Sequence, residues 1–256
     1  MEAYCSIDQL IDLYRKGEKI FKEPAIESFT KIDDLTKPKY SSKGRQFAID
    51  EVLGETTLDR ALTNILIPAY DIESRMPIFF VNNSANTQTR NFQKLSDATM
   101  AQAAMATTAA PTFFEPYQLG GYALIDGGVF ANNPASFAIA ECLRIAKNIS
   151  EITLVSLGTG NLTRKYSGKE AKNWGMLQWL EPLINIMMDG MSESVAIELE
   201  YILKPQQYYR FQSSLTIAND DIDDASPQNI FQLEALAKSI ILEKGRELDE
   251  LCSRIC

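Results

Sequence analysis

The chain has 256 residues, 45% of them hydrophobic, which is enough for a substantial core in one large α/β domain or two small ones. Its formal net charge of −9 argues against a nucleic-acid partner and against electrostatic capture by anionic lipids, so any membrane contact would have to be apolar. The absence of histidine excludes Ser-His-Asp triads, Cys-His dyads and all metal sites that need histidine.

The N-terminal third predicts a helix followed by two strands. Ser6 and Gln9 have the spacing of a capping box, which opens an amphipathic helix that ends near residues 17–21. Residues 28–51 are charged and irregular, and they predict a surface excursion. Residues 64–69 and 77–82 are short apolar runs typical of buried strands.

The middle of the chain alternates helices and strands. Ser96 is predicted to start a helix of small side chains that ends at Pro111. A strand over residues 122–125 runs into Asp126. A helix then follows over 133–146, and a nearly continuous apolar strand over 152–157.

The C-terminal third is predicted to be mostly helical. Residues 177–202 carry a helical apolar stripe, whose methionines we interpret as core, with an acyl-chain groove as the alternative. Residues 208–212 predict a last strand. Ser226 and Pro227 open a single long amphipathic helix.

This order of elements predicts an α/β fold with a mainly parallel sheet and helices on both faces. We expect residues 1–212 to form one α/β domain and residues 213–256 to be a helical extension that packs on it. The four cysteines form neither a CxxC pair nor a disulfide framework, and no signal peptide is visible. We therefore expect free thiols and a cytoplasmic location.

Asp126 is the strongest candidate for a functional residue. It ends a strand, and ligands of open α/β sheets gather at the carboxyl ends of strands. Gly127 and Gly128 would let the backbone turn and approach closely. Spacing alone leaves a second interpretation open, since Asp-Gly is also a common turn signal.

The residues around Asp126 carry a family resemblance. Ala109-Ala110-Pro111-Thr112-Phe113-Phe114, Leu124-Ile125-Asp126-Gly127-Gly128-Val129 and Ala131-Asn132-Asn133-Pro134 resemble the C-terminal motif block of the patatin-like phospholipases. Residues 8–14, 67–71 and 155–160 are similar as well, so the resemblance covers roughly residues 4–160.

The resemblance implies a three-layer α/β fold and a Ser–Asp dyad that hydrolyses acyl esters of phospholipids or galactolipids. Asp126 would be the general base, and Gly127 and Gly128 would shape its turn. No metal ion or organic cofactor is implied. The implied partner is a lipid ester, together with peripheral membrane contact.

The chain departs from the family pattern in one respect. It contains neither the Gly-x-Ser-x-Gly nucleophile elbow nor the Gly-rich oxyanion loop. Both precede, in the family, the segment that resembles residues 1–21. We therefore expect a downstream part that is truncated on its N-terminal side, is inactive alone and self-associates through exposed strand surface. The alternatives are an incomplete sequence, a non-catalytic pseudohydrolase that binds lipid or protein, and a second polypeptide that supplies the missing units.

Two weaker motifs have simpler explanations. The acidic residues 220–224 lack the glycine of a calcium-binding EF-hand loop, and we interpret them as a solvated loop. Gly158-Thr159-Gly160 lacks the further residues of a phosphate-binding loop, so we interpret it as a strand-to-loop turn.

Overall fold

The computed structural model of the protein describes residues 6–15, 17–21, 37–82, 93–144, 146 and 148–255. Contacts divide the chain into two compact units, Met1–Ala131 and Asn132–Cys256. The expected domain of residues 1–212 with its helical extension stays a prediction.

The first unit is built on a five-stranded sheet. Its helices are α1 (Ile7–Arg15), α2 (Ser42–Leu53), α3 (Met100–Thr107) and α4 (Gly128–Ala131). Its strands are β1 (Leu66–Asp71), β2 (Met76–Val81), β3 (Gln93–Leu95), β4 (Tyr117–Leu119) and β5 (Tyr122–Asp126). The strand order is β3-β2-β1-β5-β4.

The sheet is mixed and less parallel than the sequence predicts. β1 pairs antiparallel with β2 and with β5, and β4 pairs antiparallel with β5, whereas β2 and β3 are parallel. Only residues 72–75 separate β1 from β2, and so short a connection cannot make the crossover that a parallel pair needs. The α/β class itself is confirmed.

Helices cover both faces of this sheet, as expected. Ile78 and Phe80 of β2 share a core with Ala103 and Ala106 of α3, whose small side chains let the helix lie close to the strands. Phe79 points to the opposite face because side chains alternate along a strand. There its ring meets Phe130 of α4 edge-on, with centroids 5.7 Å apart.

The second unit combines a two-stranded parallel sheet with five helices in its described residues. The strands are β6 (Leu154–Leu157) and β7 (Tyr208–Phe211). The helices are α5 (Ala135–Cys142), α6 (Gly168–Ala171), α7 (Met176–Ile202), α8 (Pro227–Glu243) and α9 (Gly245–Ile255). Leu199 of α7 packs on Leu154, and Leu251 of α9 packs on Phe211.

Several predicted elements differ from the structure at their boundaries. Residues 42–51 lie in α2 although they were predicted to be irregular. Lys43, Asp50 and Glu51 are exposed on a helix that buries Arg45 and Ala48. Residues 28–36 lie outside the described residues. α5 is shorter than predicted, and α8 and α9 replace the single C-terminal helix. The short strands β3 and β4 were not predicted.

The start of α3 is set by Thr99 and not by Ser96. The Thr99 hydroxyl accepts a hydrogen bond from the Gln102 N–H (3.1 Å), and the Gln102 side chain accepts one from the Thr99 N–H (2.9 Å). This capping box satisfies two backbone donors at the helix start. Ser96 instead hydrogen-bonds its neighbour Asp97.

The apolar stripe of α7 joins the core in its second half, where Leu199 is buried, but not in its first half, where the methionines were predicted to be core. Leu177, Leu180 and Met187 are exposed, while Met188 and Met191 are half-buried. Helical spacing shows that apolar side chains share one face, but it does not show on which side of the helix the rest of the protein lies.

Cys142 and Cys252 are free and exposed, whereas Cys5 and Cys256 lie outside the described residues. Across the part of the chain that the structure describes, no helix is both long and apolar enough to cross a bilayer. The cytoplasmic location stays a prediction.

Candidate active site

Asp126 is the last residue of β5, and two neighbouring segments fix its backbone. It pairs with Ala69 of β1 in the antiparallel ladder. Its N–H donates a hydrogen bond to the Ala109 carbonyl (3.0 Å), directly after α3. Two of the motifs that the sequence analysis singled out, Ala-Ala-Pro and Asp-Gly-Gly, therefore lie against each other.

The two oxygens of the Asp126 carboxylate have different surroundings. Oδ1 accepts a hydrogen bond from the Gly128 N–H (2.7 Å). Oδ2 accepts none from any described residue, and the side chain is half-buried. The turn therefore orients the carboxylate through one oxygen and leaves the other available to accept a proton.

Burial raises the pKa of the Asp126 carboxyl above its ordinary value. The hydrogen bond from Gly128 and the positive charge of Arg45 both act to lower this pKa, without cancelling the rise. A raised pKa makes a carboxylate a better proton acceptor near neutral pH.

Gly127 lies so close to β1 that no side chain fits there. A Cβ at this position would be 2.2 Å from the Pro68 carbonyl oxygen and 2.5 Å from its carbon. The Thr107 hydroxyl donates to the same Pro68 oxygen (2.6 Å). The Gly127 carbonyl accepts from the Ala131 N–H (2.9 Å) and so begins α4. Gly127 thus shapes the turn by its close backbone approach, and Gly128 by its N–H.

Arg45 is a buried residue beside this site that the sequence analysis missed. One guanidinium nitrogen, Nη1, donates to the Met105 carbonyl (3.0 Å) and to the Thr108 hydroxyl (2.8 Å). The guanidinium carbon lies 4.3 Å from the centroid of the Phe114 ring. Arg45 therefore holds the C-terminal end of α3, from which the chain runs to Ala109 and its hydrogen bond with Asp126.

Arg45 also contributes charge. Burial lowers the pKa of its guanidinium to about 10, while the charges of Asp126 and Glu115 oppose the fall. Arg45 consequently remains a cation at neutral pH. No signal in the sequence marked it, since a charged residue in a charged segment is typical of solvent exposure.

Asp71 provides a contrast within the same sheet. It is almost fully buried, and its carboxylate accepts hydrogen bonds from the N–H groups of Ala123 (3.0 Å) and Ser74 (3.0 Å) and from the Ser74 hydroxyl. Burial alone would raise the pKa of Asp71, but the hydrogen bonds outweigh it and hold the pKa below its ordinary value. Asp71 fastens the β1–β2 turn to β5 and is not suited to accept a proton.

Known proteins match the chain over most of its length. The sequence model of the patatin-like phospholipases matches residues 14–139. Patatin-like protein 2 of Arabidopsis thaliana is 35% identical over 242 residues, covering 81% of this chain and 57% of the relative. Probable inactive patatin-3-Kuras 1 of Solanum tuberosum is 30% identical over 268 residues, covering 92% and 68%. The chain belongs to the patatin-like phospholipase family.

The chain matches only part of the length of each of these relatives. Patatin-like protein 1 of Arabidopsis thaliana is 29% identical over 268 residues, which are 90% of this chain but 63% of the relative. The chain thus spans about three fifths of the length of such curated patatin-like proteins. The family resemblance is confirmed, and the matched range of residues 14–139 includes the Asp-Gly-Gly block.

The Asn-Asn-Pro part of the patatin-like block belongs to the second unit. The Asn132 side-chain amide donates to the Met188 carbonyl (3.2 Å), and the Asn133 amide donates to the Ser192 carbonyl (3.3 Å). The Asn133 oxygen accepts from the Ala135 N–H (3.2 Å) at the start of α5. These contacts give both asparagines a structural role in joining α5 to α7.

Carboxylates of the acidic loop, residues 220–224, form ion pairs and hydrogen bonds with other residues of the chain. Arg164 forms ion pairs with Asp220 (2.6 Å) and Asp221 (2.7 Å). Asp224 accepts hydrogen bonds from the Asn219 amide (2.8 Å) and the Ser226 N–H (3.1 Å). Among the described residues, no group of three or more Cys, Asp or Glu side chains is placed to hold a metal ion.

The Gln212 side chain lies directly against the Gly158-Thr159-Gly160 loop. The Gly160 N–H donates to the Gln212 side-chain oxygen (2.8 Å), and a Cβ at Gly158 would lie 2.4 Å from the same side chain. Because Gln212 fills the space over the loop, the geometry is that of a strand-to-loop turn.

Proposed function

We propose that this chain supplies the general base of a patatin-like lipid acyl hydrolase. Asp126 would take the proton of a serine hydroxyl as the serine oxygen attacks the ester carbonyl. Collapse of the tetrahedral intermediate would release the alcohol, which receives that proton, and leave an acyl-enzyme. Water activated by the same carboxylate would then release the fatty acid. The observation that carries the proposal is the oriented, half-buried Asp126 carboxylate with one free oxygen.

The substrate that we propose is an acyl ester of a phospholipid or a galactolipid, with peripheral contact between the protein and the membrane. This route needs neither a metal ion nor an organic cofactor. The two free, exposed cysteines support a reducing, cytoplasmic location. We propose that the protein self-associates through β3 and β4, the short strands at the two edges of the sheet.

We also propose that residues 1–256 do not hydrolyse esters by themselves. They contain no Gly-x-Ser-x-Gly, and Asp126 has no nucleophile to activate without one. Removing the nucleophile removes the covalent route itself.

The test has two stages. The purified chain is first assayed on phosphatidylcholine and on a galactolipid, and we expect no turnover above background. If the DNA upstream of Met1 encodes a Gly-x-Ser-x-Gly in frame, the longer protein is then compared with its Asp126→Asn and Asp97→Asn variants. Asp97 is exposed and serves as the matched control. We expect Asp126→Asn to lower kcat by roughly 10³-fold or more, and Asp97→Asn to leave it unchanged.

Two results would contradict this proposal. The first is full activity in the Asp126→Asn variant of the longer protein. The second is ester hydrolysis by residues 1–256 alone that requires Asp126, which would reveal a substitute nucleophile.

The second candidate is a pseudohydrolase that binds lipid or a protein partner without catalysis. One relative, from Solanum tuberosum, is named a probable inactive patatin, and this name supports the pseudohydrolase candidate. This candidate predicts stable protein in cells and no serine-bearing segment encoded upstream or supplied by a second polypeptide. Lipid-ester turnover by the native protein would exclude it.

A further inference from the structure

The first half of α7 presents an apolar face to solvent. Met176 is 85% exposed, Leu177 71%, Leu180 52% and Met187 53%, and Leu183 and Ile186 are exposed as well. At 3.6 residues per turn, these side chains and Trp179 fall within an arc of about 180°. Every residue of that arc between 176 and 191 is apolar or glycine.

From Pro182 onward the opposite side of this helix faces the protein, whereas Gln178 at the helix start is exposed. Pro182 is buried, and Asn185 and Asp189 are half-buried. The Asn185 amide donates to the Tyr166 hydroxyl (3.4 Å). This segment therefore turns its more polar side inward and its apolar side outward, the reverse of the usual arrangement for a helix on a protein surface. An apolar face of this extent is typical of an interaction site.

The residues beside this face identify the kind of partner. Trp174 and Trp179 meet edge-on at the start of α7, with ring centroids 5.1 Å apart. Their rings combine an apolar body with a polar N–H, which suits the boundary between a membrane and water.

The charge next to the tryptophans fits a lipid surface better than a protein. Lys165, Lys169 and Lys172 are exposed, and Glu170 is the one acidic residue among residues 165–180, in a chain whose net charge is −9. Lysine is depleted from protein–protein interfaces, whereas beside a membrane its long side chain reaches the head groups while its stem lies on apolar surface.

We propose that the apolar face of residues 176–187 docks on a phospholipid surface. The helix lies in the plane of the interface, with its leucine and methionine side chains among the acyl chains and the three lysines at the head groups. Apolar burial drives this binding, so zwitterionic lipid is sufficient. The inference deepens the proposed function, since it states how the protein reaches a lipid ester.

Trp174 and Trp179 are the only tryptophans of the chain, so its intrinsic fluorescence reports directly on this site. The 256-residue chain is mixed with vesicles of diether phosphatidylcholine, a lipid without ester bonds, and is followed by flotation and by tryptophan emission. We expect co-flotation and a shift of the emission to shorter wavelength, and both should persist at raised salt. Asp126→Asn should bind equally well, so the result does not depend on the proposed catalytic role.

A matched pair of variants tests the location of the surface. Leu177→Glu/Leu180→Glu should weaken partitioning by on the order of tenfold or more, because it adds two charges to the docking face. Ile241→Glu/Leu242→Glu changes two exposed apolar residues of α8 in the same way and should bind as the wild type does. Circular dichroism verifies that both variants are folded.

Three outcomes would overturn the proposal. The wild-type chain fails to float with vesicles, the two double variants lose binding equally, or the lipid-free chain forms a dimer that Leu177→Glu/Leu180→Glu abolishes. The last outcome would assign this face to a second copy of the chain. Self-association that persists in this variant arises elsewhere and leaves the docking proposal intact.

Discussion

At the scale of single residues, Asp71 and Asp126 show how the surroundings of a carboxylate decide its role. One suits a structural role and the other suits proton transfer. Asp71 and Asp126 lie on neighbouring strands, the first almost fully buried and the second half-buried. Hydrogen bonds to both oxygens lower the pKa of Asp71, whereas a single hydrogen bond leaves the pKa of Asp126 raised by burial. The raised pKa means that the folded protein holds the Asp126 charge at a cost in stability.

Asp126→Asn should therefore stabilise the fold at neutral pH, by up to about 1 kcal/mol. The asparagine oxygen can still accept the Gly128 hydrogen bond while the buried charge is removed. Because the folded pKa lies above the unfolded one, the wild type regains stability as pH falls through the folded pKa, and the advantage of the variant should shrink there. Urea unfolding at a series of pH values measures the difference. A destabilised variant at pH 7 would contradict the burial argument.

Gly127→Ala should destabilise the protein by about 3 kcal/mol, since the new Cβ meets backbone atoms of Pro68 that cannot rotate away. Gly190→Ala is the control. Gly190 lies inside α7 with nothing within 4 Å of its added Cβ, and alanine there should gain up to about 1 kcal/mol from helix propensity. Thermal unfolding of both variants tests the pair, and equal effects would show that close approach at Gly127 is not the cause.

At the scale of secondary-structure elements, α3 is fixed at both ends by side chains. The Thr99–Gln102 capping box closes its start, and Arg45 of α2 supplies the donor for the Met105 carbonyl at its end. A cation at the C-terminus also interacts favourably with the helix dipole. The position of Ala109, and through it Asp126, depends on these contacts.

Arg45→Met should lower the free energy of unfolding by about 2–4 kcal/mol and raise the pKa of Asp126 further. The first effect follows from the lost hydrogen bonds to α3, and the second from the lost positive charge. Arg45→Lys keeps the positive charge but cannot keep both hydrogen bonds to α3. Its Asp126 pKa should therefore lie close to the wild-type value, whereas its free energy of unfolding should recover only in part. Carboxyl NMR titration and urea unfolding separate the two, and an unchanged Asp126 pKa in Arg45→Met would refute the electrostatic contribution.

For the whole molecule, the distribution of charge matters more than its total. A net charge of −9 repels anionic surfaces, yet the segment before α7 is locally basic and adjoins an exposed apolar face. The lipid contact that we propose for this face relies on apolar burial, so it does not require the chain as a whole to be basic. The free oxygen of Asp126 and the apolar face of α7 are separate features, and the experiments on them are independent.

Sequence alone determined the features that depend on residues close together in the chain. The Ser6–Gln9 capping box, the helix start at Ser226-Pro227 and the strand that ends in Asp126 appear in the structure where local spacing placed them. The same spacing misplaced the start of α3, because the capping box at Thr99 competes with the signal at Ser96. The family resemblance pointed to Asp126, but local pattern could not distinguish a turn from a site.

Only the tertiary structure decided how distant residues meet. Arg45 contacts residues about sixty positions away, Asp126 binds Ala109 through the backbone, and β1 pairs antiparallel with β5 across more than fifty residues. The direction of the apolar face of α7 was likewise decided by packing of the opposite side. Periodicity records which side chains share a face, whereas burial, free lone pairs and strand direction arise only when separate segments of the chain come together.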